Sequence, residues 1–152
     1  MTLRRSRKLF HFESYVFTIM INIHTNINIT FRSISSQGLT YFDGYIFEGT
    51  GMEHQSHLLR HDPTNQMNTL DKIPLTPSHL FGEGISHYYV WTTDNNGNPQ
   101  KEHRLIQLTW KHKIGKIYTL PSMELIQEFT FNTSTGEGWG CLLYTSPSPR
   151  DS

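Results

Sequence analysis

From Ser36 onward, short apolar-rich runs alternate with polar turns rich in glycine and asparagine, a spacing that suits strands rather than helices. Gly38 to Phe42 reads as a strand, Asp43-Gly44 as a tight turn and Tyr45 to Thr50 as its hairpin partner. Ser56 to Asp62 makes a third strand, Pro63-Thr64-Asn65 turns the chain, and Met67 to Ile73 makes a fourth. The pattern then recurs. Gly84 to Thr93 is a longer first strand, followed by the turn-rich insertion Asn95-Asn96-Gly97-Asn98-Pro99. Arg104 to Trp110, Ile114 to Thr119 and Leu125 to Phe131 complete a second group of four. Four short antiparallel strands in a meander are the content of one propeller blade.

The starts of these groups share a local pattern. Gln37-Gly38-Leu39, Glu83-Gly84-Ile85 and Trp139-Gly140 each place a functional side chain before a glycine. Glu83 follows Gln37 by 46 residues and Trp139 follows Glu83 by 56, a period in the range of propeller blades. The second strands also match, Ile46-Phe47-Glu48-Gly49-Thr50-Gly51 over Leu105-Ile106-Gln107-Leu108-Thr109-Trp110, and Asp62-Pro63-Thr64 and Leu120-Pro121-Ser122 fall at matching turns. Equivalent positions in successive blades face one central channel, so Gln37, Glu83 and Trp139 are expected to converge.

Composition narrows the class. Abundant aromatics and frequent Gly and Asn turns favour an all-β protein. The formal net charge is zero, with no basic patch for nucleic acid and no acidic tail. No run of about 18 apolar residues offers a transmembrane helix.

Residues 1–34 read differently from the rest: basic from Met1 to Lys8, then apolar from Phe10 to Met20 but broken by His11, Glu13 and Ser14. The segment reads either as signal-like or as translated non-coding sequence, and Ile21 to Thr30, with its Ile/Asn alternation, reads as a strand or as part of that non-coding stretch. At the other end, Cys141 to Asp151 matches the translation of a widely used sequencing-library adapter, so residues 141–152 are expected to be an artefact and the native protein to continue past Gly140. The 152-residue chain therefore divides into a doubtful segment 1–34, a partial propeller domain 35–140 and an adapter tail. Without Cys141 the native part has no cysteine, hence no disulfide, Cys-based zinc site or thiol nucleophile.

Five motifs in order carry a resemblance to a known family: Ser36-Gln37-Gly38-Leu39-Thr40-Tyr41, Phe47-Glu48-Gly49-Thr50-Gly51, Phe81-Gly82-Glu83-Gly84-Ile85, Leu108-Thr109-Trp110-Lys111 and Gly138-Trp139-Gly140. Over residues 36–140 the chain resembles the glutamine cyclotransferases of the plant and bacterial type, also called glutaminyl-peptide cyclotransferases. The resemblance implies a five-bladed β-propeller, of which about two blades and the start of a third are present. It implies conversion of an N-terminal glutamine of a peptide to pyroglutamate with release of ammonia, without zinc or another cofactor. It also implies a secreted or periplasmic enzyme, monomeric at full length; the present fragment alone is expected to be unstable and inactive. One departure is Ser35, where the family usually has an aromatic residue two positions before the glutamine. The insertion from Thr92 to Glu102, which is expected to lengthen the first hairpin of the second blade, is another.

On this basis Glu83 is the expected acid/base residue: it takes a proton from the attacking amine and returns it to the leaving nitrogen, best with a pKa raised toward neutrality. Gln37 suits the substrate's amide or amine, while Phe81, Trp110 and Trp139 suit its methylenes as pocket walls. The structural alternatives are a strand-start glutamate bonded to the next blade, a glutamine satisfying backbone groups, and aromatics packed between blades. Trp91 in the inserted hairpin reads as packing. His54, His57 and His61 are not expected to bind metal, since no helix is expected there and His54 and His57 point to opposite faces of a strand. Glu53 and Asp62 read as solvated turn charges, and Asn132-Thr133-Ser134 fits a glycosylation sequon that arises often by chance. A different class of function stays open on the same blades: a non-catalytic propeller that binds peptides or glycans.

Overall fold

A computed structural model of the chain describes residues 15–23, 25–33 and 35–141. It divides into two compact units, Met1–Ser35 and Ser36–Ser152. In the first, β1 (Tyr15–Ile23) pairs antiparallel with β2 (Thr25–Ser33), Ile19 lying opposite Ile29. The Ile/Asn alternation therefore belongs to a hairpin rather than to one strand. The rest of residues 1–34 and the tail beyond Cys141 lie outside the described residues.

The second unit contains two four-stranded antiparallel sheets. β3 (Ser36–Phe42), β4 (Tyr45–Thr50), β5 (His57–Asp62) and β6 (Asn68–Pro74) form one, in sequence order. β7 (Gly82–Thr93), β8 (Pro99–Thr109), β9 (Ile114–Thr119) and β10 (Leu125–Thr130) form the other in the same order. The fold is all-β, and among the described residues there is no helix, hence none long and apolar enough to cross a membrane. Each sheet is a meander of the kind that makes a propeller blade.

The insertion lengthens the first hairpin of its sheet, as expected: β7 and β8 stay paired out to Thr93 opposite Pro99. Asp94 closes it: its carboxylate accepts hydrogen bonds from the backbone amides of Asn96 and Asn98, at 2.8 Å each. Trp91, expected to pack, is 65% exposed on this extension, edge-on to Tyr89 with Lys101 over both rings. The hairpin extends past the β8–β9 pairing, which ends at Arg104, so no neighbouring strand among the described residues covers the indole.

The two sheets are built alike in detail. Thr50 and Thr109 close the β4–β5 and β8–β9 turns by the same device. Each hydroxyl accepts from the backbone amide of the first residue of the next strand and donates to that residue's carbonyl, His57 in one sheet and Ile114 in the other. Glu48 and Gln107 occupy equivalent buried places and reach diagonally to His61 (3.0 Å) and Tyr118 (3.4 Å). Leaving such groups unpaired inside the sheet would cost more than their bonds gain, so each polar residue needs its partner. Lys116, also buried, is neutralised by Glu128 on the adjoining strand. Phe47, Leu58, Ile85, Leu105, Tyr118 and Met123 form one apolar cluster drawn from both sheets. Each fully buried aliphatic or aromatic side chain of this kind is worth roughly 1.5–3 kcal/mol.

The closest approach is made by glycine. A methyl group on Gly38 would lie 2.6 Å from the Ile85 nitrogen and 3.0 Å from the Gly84 Cα. On Gly84 it would lie 2.5 Å from the Cys141 nitrogen, 2.7 Å from the Trp139 carbonyl oxygen and 2.9 Å from the Gly140 carbonyl carbon. All of these neighbours are backbone and cannot turn aside. Gly38→Ala should therefore lower stability by roughly 2 kcal/mol or more, whereas Gly140→Ala, with nothing within 4 Å of the added carbon, should be near neutral. Urea midpoints of the two variants of the full-length protein check this.

Candidate functional site

The strands that begin each sheet do not run straight into their ladders. Ser36 pairs with Thr50 and Gly38 with Gly49, so Gln37 is the extra residue of a β-bulge. Gly82 pairs with Thr109 and Ile85 with Gln107, so Glu83 and Gly84 together face a single residue of β8. A bulge lifts its residues out of strict alternation and re-aims their side chains, a frequent arrangement beside active sites. Both bulged residues sit just before a glycine that packs backbone to backbone on the next segment.

Around these bulges the aromatic residues gather. Phe81 and Trp110 meet edge to face with ring centroids 5.7 Å apart, and Trp110 and Trp139 are tilted with centroids 6.2 Å apart. Backbone bonds hold the three segments: the Trp110 amide donates to the Phe81 carbonyl (3.0 Å), the Gly138 amide to the Trp110 carbonyl (2.9 Å) and the Gly84 amide to the Trp139 carbonyl (3.1 Å). Gln37 joins at Gly51, where an added methyl group would collide with the Phe81 ring and lie 2.6 Å from the Gln37 Cγ. Gln37 and Phe81 are thus adjacent, Phe81 touches Trp110, and Trp110 touches Trp139. Gln37 is exposed, Phe81 and Trp110 are half-buried, and Trp139 is 55% exposed, so these side chains line a surface open to solvent.

Glu83 is different. It is only 5% exposed, and its pKa is pushed up from 4.5 to about 7. Loss of hydration is the larger cause and the nearby Glu137 carboxylate the smaller. A carboxyl group poised near neutrality can accept a proton and give it back at physiological pH. Glu137 carries no motif that marks it; its place before Gly138 in the third copy of the repeat is the only sign in the sequence of this second carboxylate.

A pocket of about 300 Å³ opens beside these rings, lined by Glu53, His79, Phe81, Trp110, Lys111 and His112. It shares Phe81 and Trp110 with the aromatic cluster, while Glu83, Gln37 and Trp139 are not among its walls. Lys111 rests on the Trp110 face, its ammonium 3.9 Å from the ring centroid, and the His79 and His112 rings lie 4.9 Å apart. The Trp110 indole N–H is buried without an acceptor among the described residues. Lys111 stands inside a recognisable motif; His79 and His112 carry no pattern of their own, and only folding brings them together.

Of the remaining histidines, His61 is buried between Glu48 and Thr69, and His87 bonds His103 at 2.9 Å beneath Phe42. Asp62 is held below the usual carboxylate range by the Thr64 hydroxyl and amide, as a turn residue should be.

The raised Glu83 value has a stability consequence. Between pH 4.5 and about 7 the folded state holds more protons than the unfolded state, so the group's contribution falls as pH rises through that window. The loss is at most roughly 3 kcal/mol. Glu83→Gln should remove it, leaving the variant more stable than wild type at pH 8 and closer to it at pH 4.5; urea denaturation at both pH values checks the difference.

No curated protein matches the chain. The sequence profile described as glutamine cyclotransferase matches residues 24–146. That span takes in both sheets, the two bulges and all of the aromatic cluster. It also begins within the segment that reads as doubtful and ends within the stretch that resembles an adapter. The match covers most of the 152 residues, and the chain belongs to the glutamine cyclotransferase family.

Proposed function

We propose that this chain contributes the acid/base residue and part of the substrate pocket of a glutaminyl-peptide cyclotransferase. The observation that carries the reading is Glu83: a buried carboxyl group with a pKa of about 7 on a bulge beside an aromatic cluster. In this reading the substrate's N-terminal glutamine folds back so that its α-amine meets its own side-chain amide carbon. The geometry makes the attack intramolecular, which supplies much of the rate advantage. The nitrogen–carbon bond forms as the Glu83 carboxylate takes a proton from the amine. The resulting carboxylic acid then protonates the amide nitrogen, the carbon–nitrogen bond breaks, ammonia leaves and Glu83 is again a carboxylate. Gln37 holds the amide or the amine by hydrogen bonds, and Phe81, Trp110 and Trp139 enclose the methylenes.

Proton transfer of this kind is worth roughly 10²–10⁴ in rate. In the full-length protein, Glu83→Gln should cut kcat for a glutamine-leading peptide by about that factor, whereas Gln37→Ala should act more on KM. Ammonia release measured over a range of peptide concentrations checks both. Normal turnover by Glu83→Gln would remove Glu83 from the chemistry. Tight binding of the peptide by wild type without any turnover would favour a peptide-binding propeller instead.

A further inference from the structure

The pocket formed by Glu53, His79, Phe81, Trp110, Lys111 and His112 is a second recognition site beside the reacting centre. We infer that it receives the residue following the N-terminal glutamine of a peptide substrate and that it favours an acidic side chain there. The inference rests on the cyclotransferase reading and assigns that reaction a preferred substrate class.

Continuity is the first argument. Phe81 and Trp110 belong to both places: Phe81 abuts Gln37 at Gly51, Trp110 stands beside Trp139, and both rings wall the pocket. In this inference a peptide with its first residue at Glu83 leaves along these rings. An extended chain advances roughly 3.3–3.6 Å per residue, and successive side chains point to opposite sides, so the second residue lies one step along the rings with its side chain turned away from the first. At about 300 Å³ the pocket is large enough for one such side chain.

Charge is the second argument. The Lys111 ammonium is fixed at the wall by the Trp110 face, 3.9 Å from its centroid, and so acts from a defined position. His79 and His112 add imidazole N–H donors at the same wall. The one acidic wall residue, Glu53, is 84% exposed at its side chain and lies 3.9 Å from His54; Lys111 is exposed as well, but it is held at the wall over the Trp110 ring. A carboxylate entering the pocket meets a held cation and two rings of donors; an ammonium meets the same cation and is repelled.

The test compares three peptides, Gln-Glu-Ala, Gln-Ala-Ala and Gln-Lys-Ala, with the full-length protein. A single screened charge at contact distance predicts a preference of about five- to tenfold in kcat/KM for the glutamate peptide over the lysine peptide, carried mainly by KM. Lys111→Glu, at an exposed position, should invert that ratio, and His79→Ala should reduce it. Equal kcat/KM for the three peptides, or a ratio unchanged in Lys111→Glu, would overturn the inference while leaving the cyclotransferase reading intact. Absence of turnover for all three would overturn the reaction instead. In that case tryptophan fluorescence titration with the same peptides decides the subsite: glutamate-preferring binding lost in Lys111→Glu supports it, and equal binding overturns it.

Discussion

Where the first strand of one sheet meets the first strand of the next, no side chain separates the two backbones. Gly38 lies against Gly84 and Ile85, and Gly84 in turn lies against Trp139 and Gly140. The contact is peptide plane on peptide plane, and one added carbon has nowhere to go. Everything functional in the molecule hangs from this constraint. Because the glycines touch, the residue just before each one is carried to the same place. Gln37, Glu83 and Trp139 are separated by dozens of residues along the chain but are adjacent in this series of contacts. The bulges complete the arrangement by turning Gln37 and Glu83 out of the ladder just where the backbones meet.

The same repeat shows how one scaffold tolerates different chemistry. Thr50 and Thr109 make the same pair of bonds across turns of different length, so the hydroxyl device is what the turn keeps. The buried diagonal pair one step inward is fixed only in kind: Glu48 with His61 in one sheet, Gln107 with Tyr118 in the other. Each pair needs a donor and an acceptor, and either combination satisfies that need. At the residue before each of Gly38, Gly84 and Gly140 even the kind is free: an exposed amide at Gln37, a buried carboxyl group at Glu83 and an exposed indole at Trp139. Variation thus grows from the turn, through the buried pair, to the mouth, which follows the order in which packing constrains them.

Much of this was legible in the sequence. In the second unit strand number, order and pairing follow from runs of Ile, Phe and Tyr between Gly, Asn and Pro turns, and Gln37 before Gly38 and Glu83 before Gly84 mark two strand starts. The lengthened hairpin was legible too, with Asn95 to Pro99 as its turn and Lys101 directly opposite Trp91 on the extension. Trp91 illustrates the limit of a residue-type rule: tryptophan usually packs, but burial depends on whether a neighbour reaches it. The pocket histidines and Glu137 were invisible for another reason. His79 and His112 belong to different loops, and only the closed sheets bring their rings within 4.9 Å. No local spacing encodes such a meeting.

The account turns on the protonation of one carboxyl group. Burial and Glu137 together hold Glu83 at about 7 rather than at the ordinary 4.5, and the proposed proton shuttle depends on that value. Carbon-detected NMR titration of the Glu83 side-chain carboxyl in the full-length protein measures it directly, with Glu83→Gln identifying the resonance. A midpoint near 7 is the predicted result. A midpoint near 4.5 would mean that Glu83 is an ordinary hydrated carboxylate, and the account of the site would be contradicted.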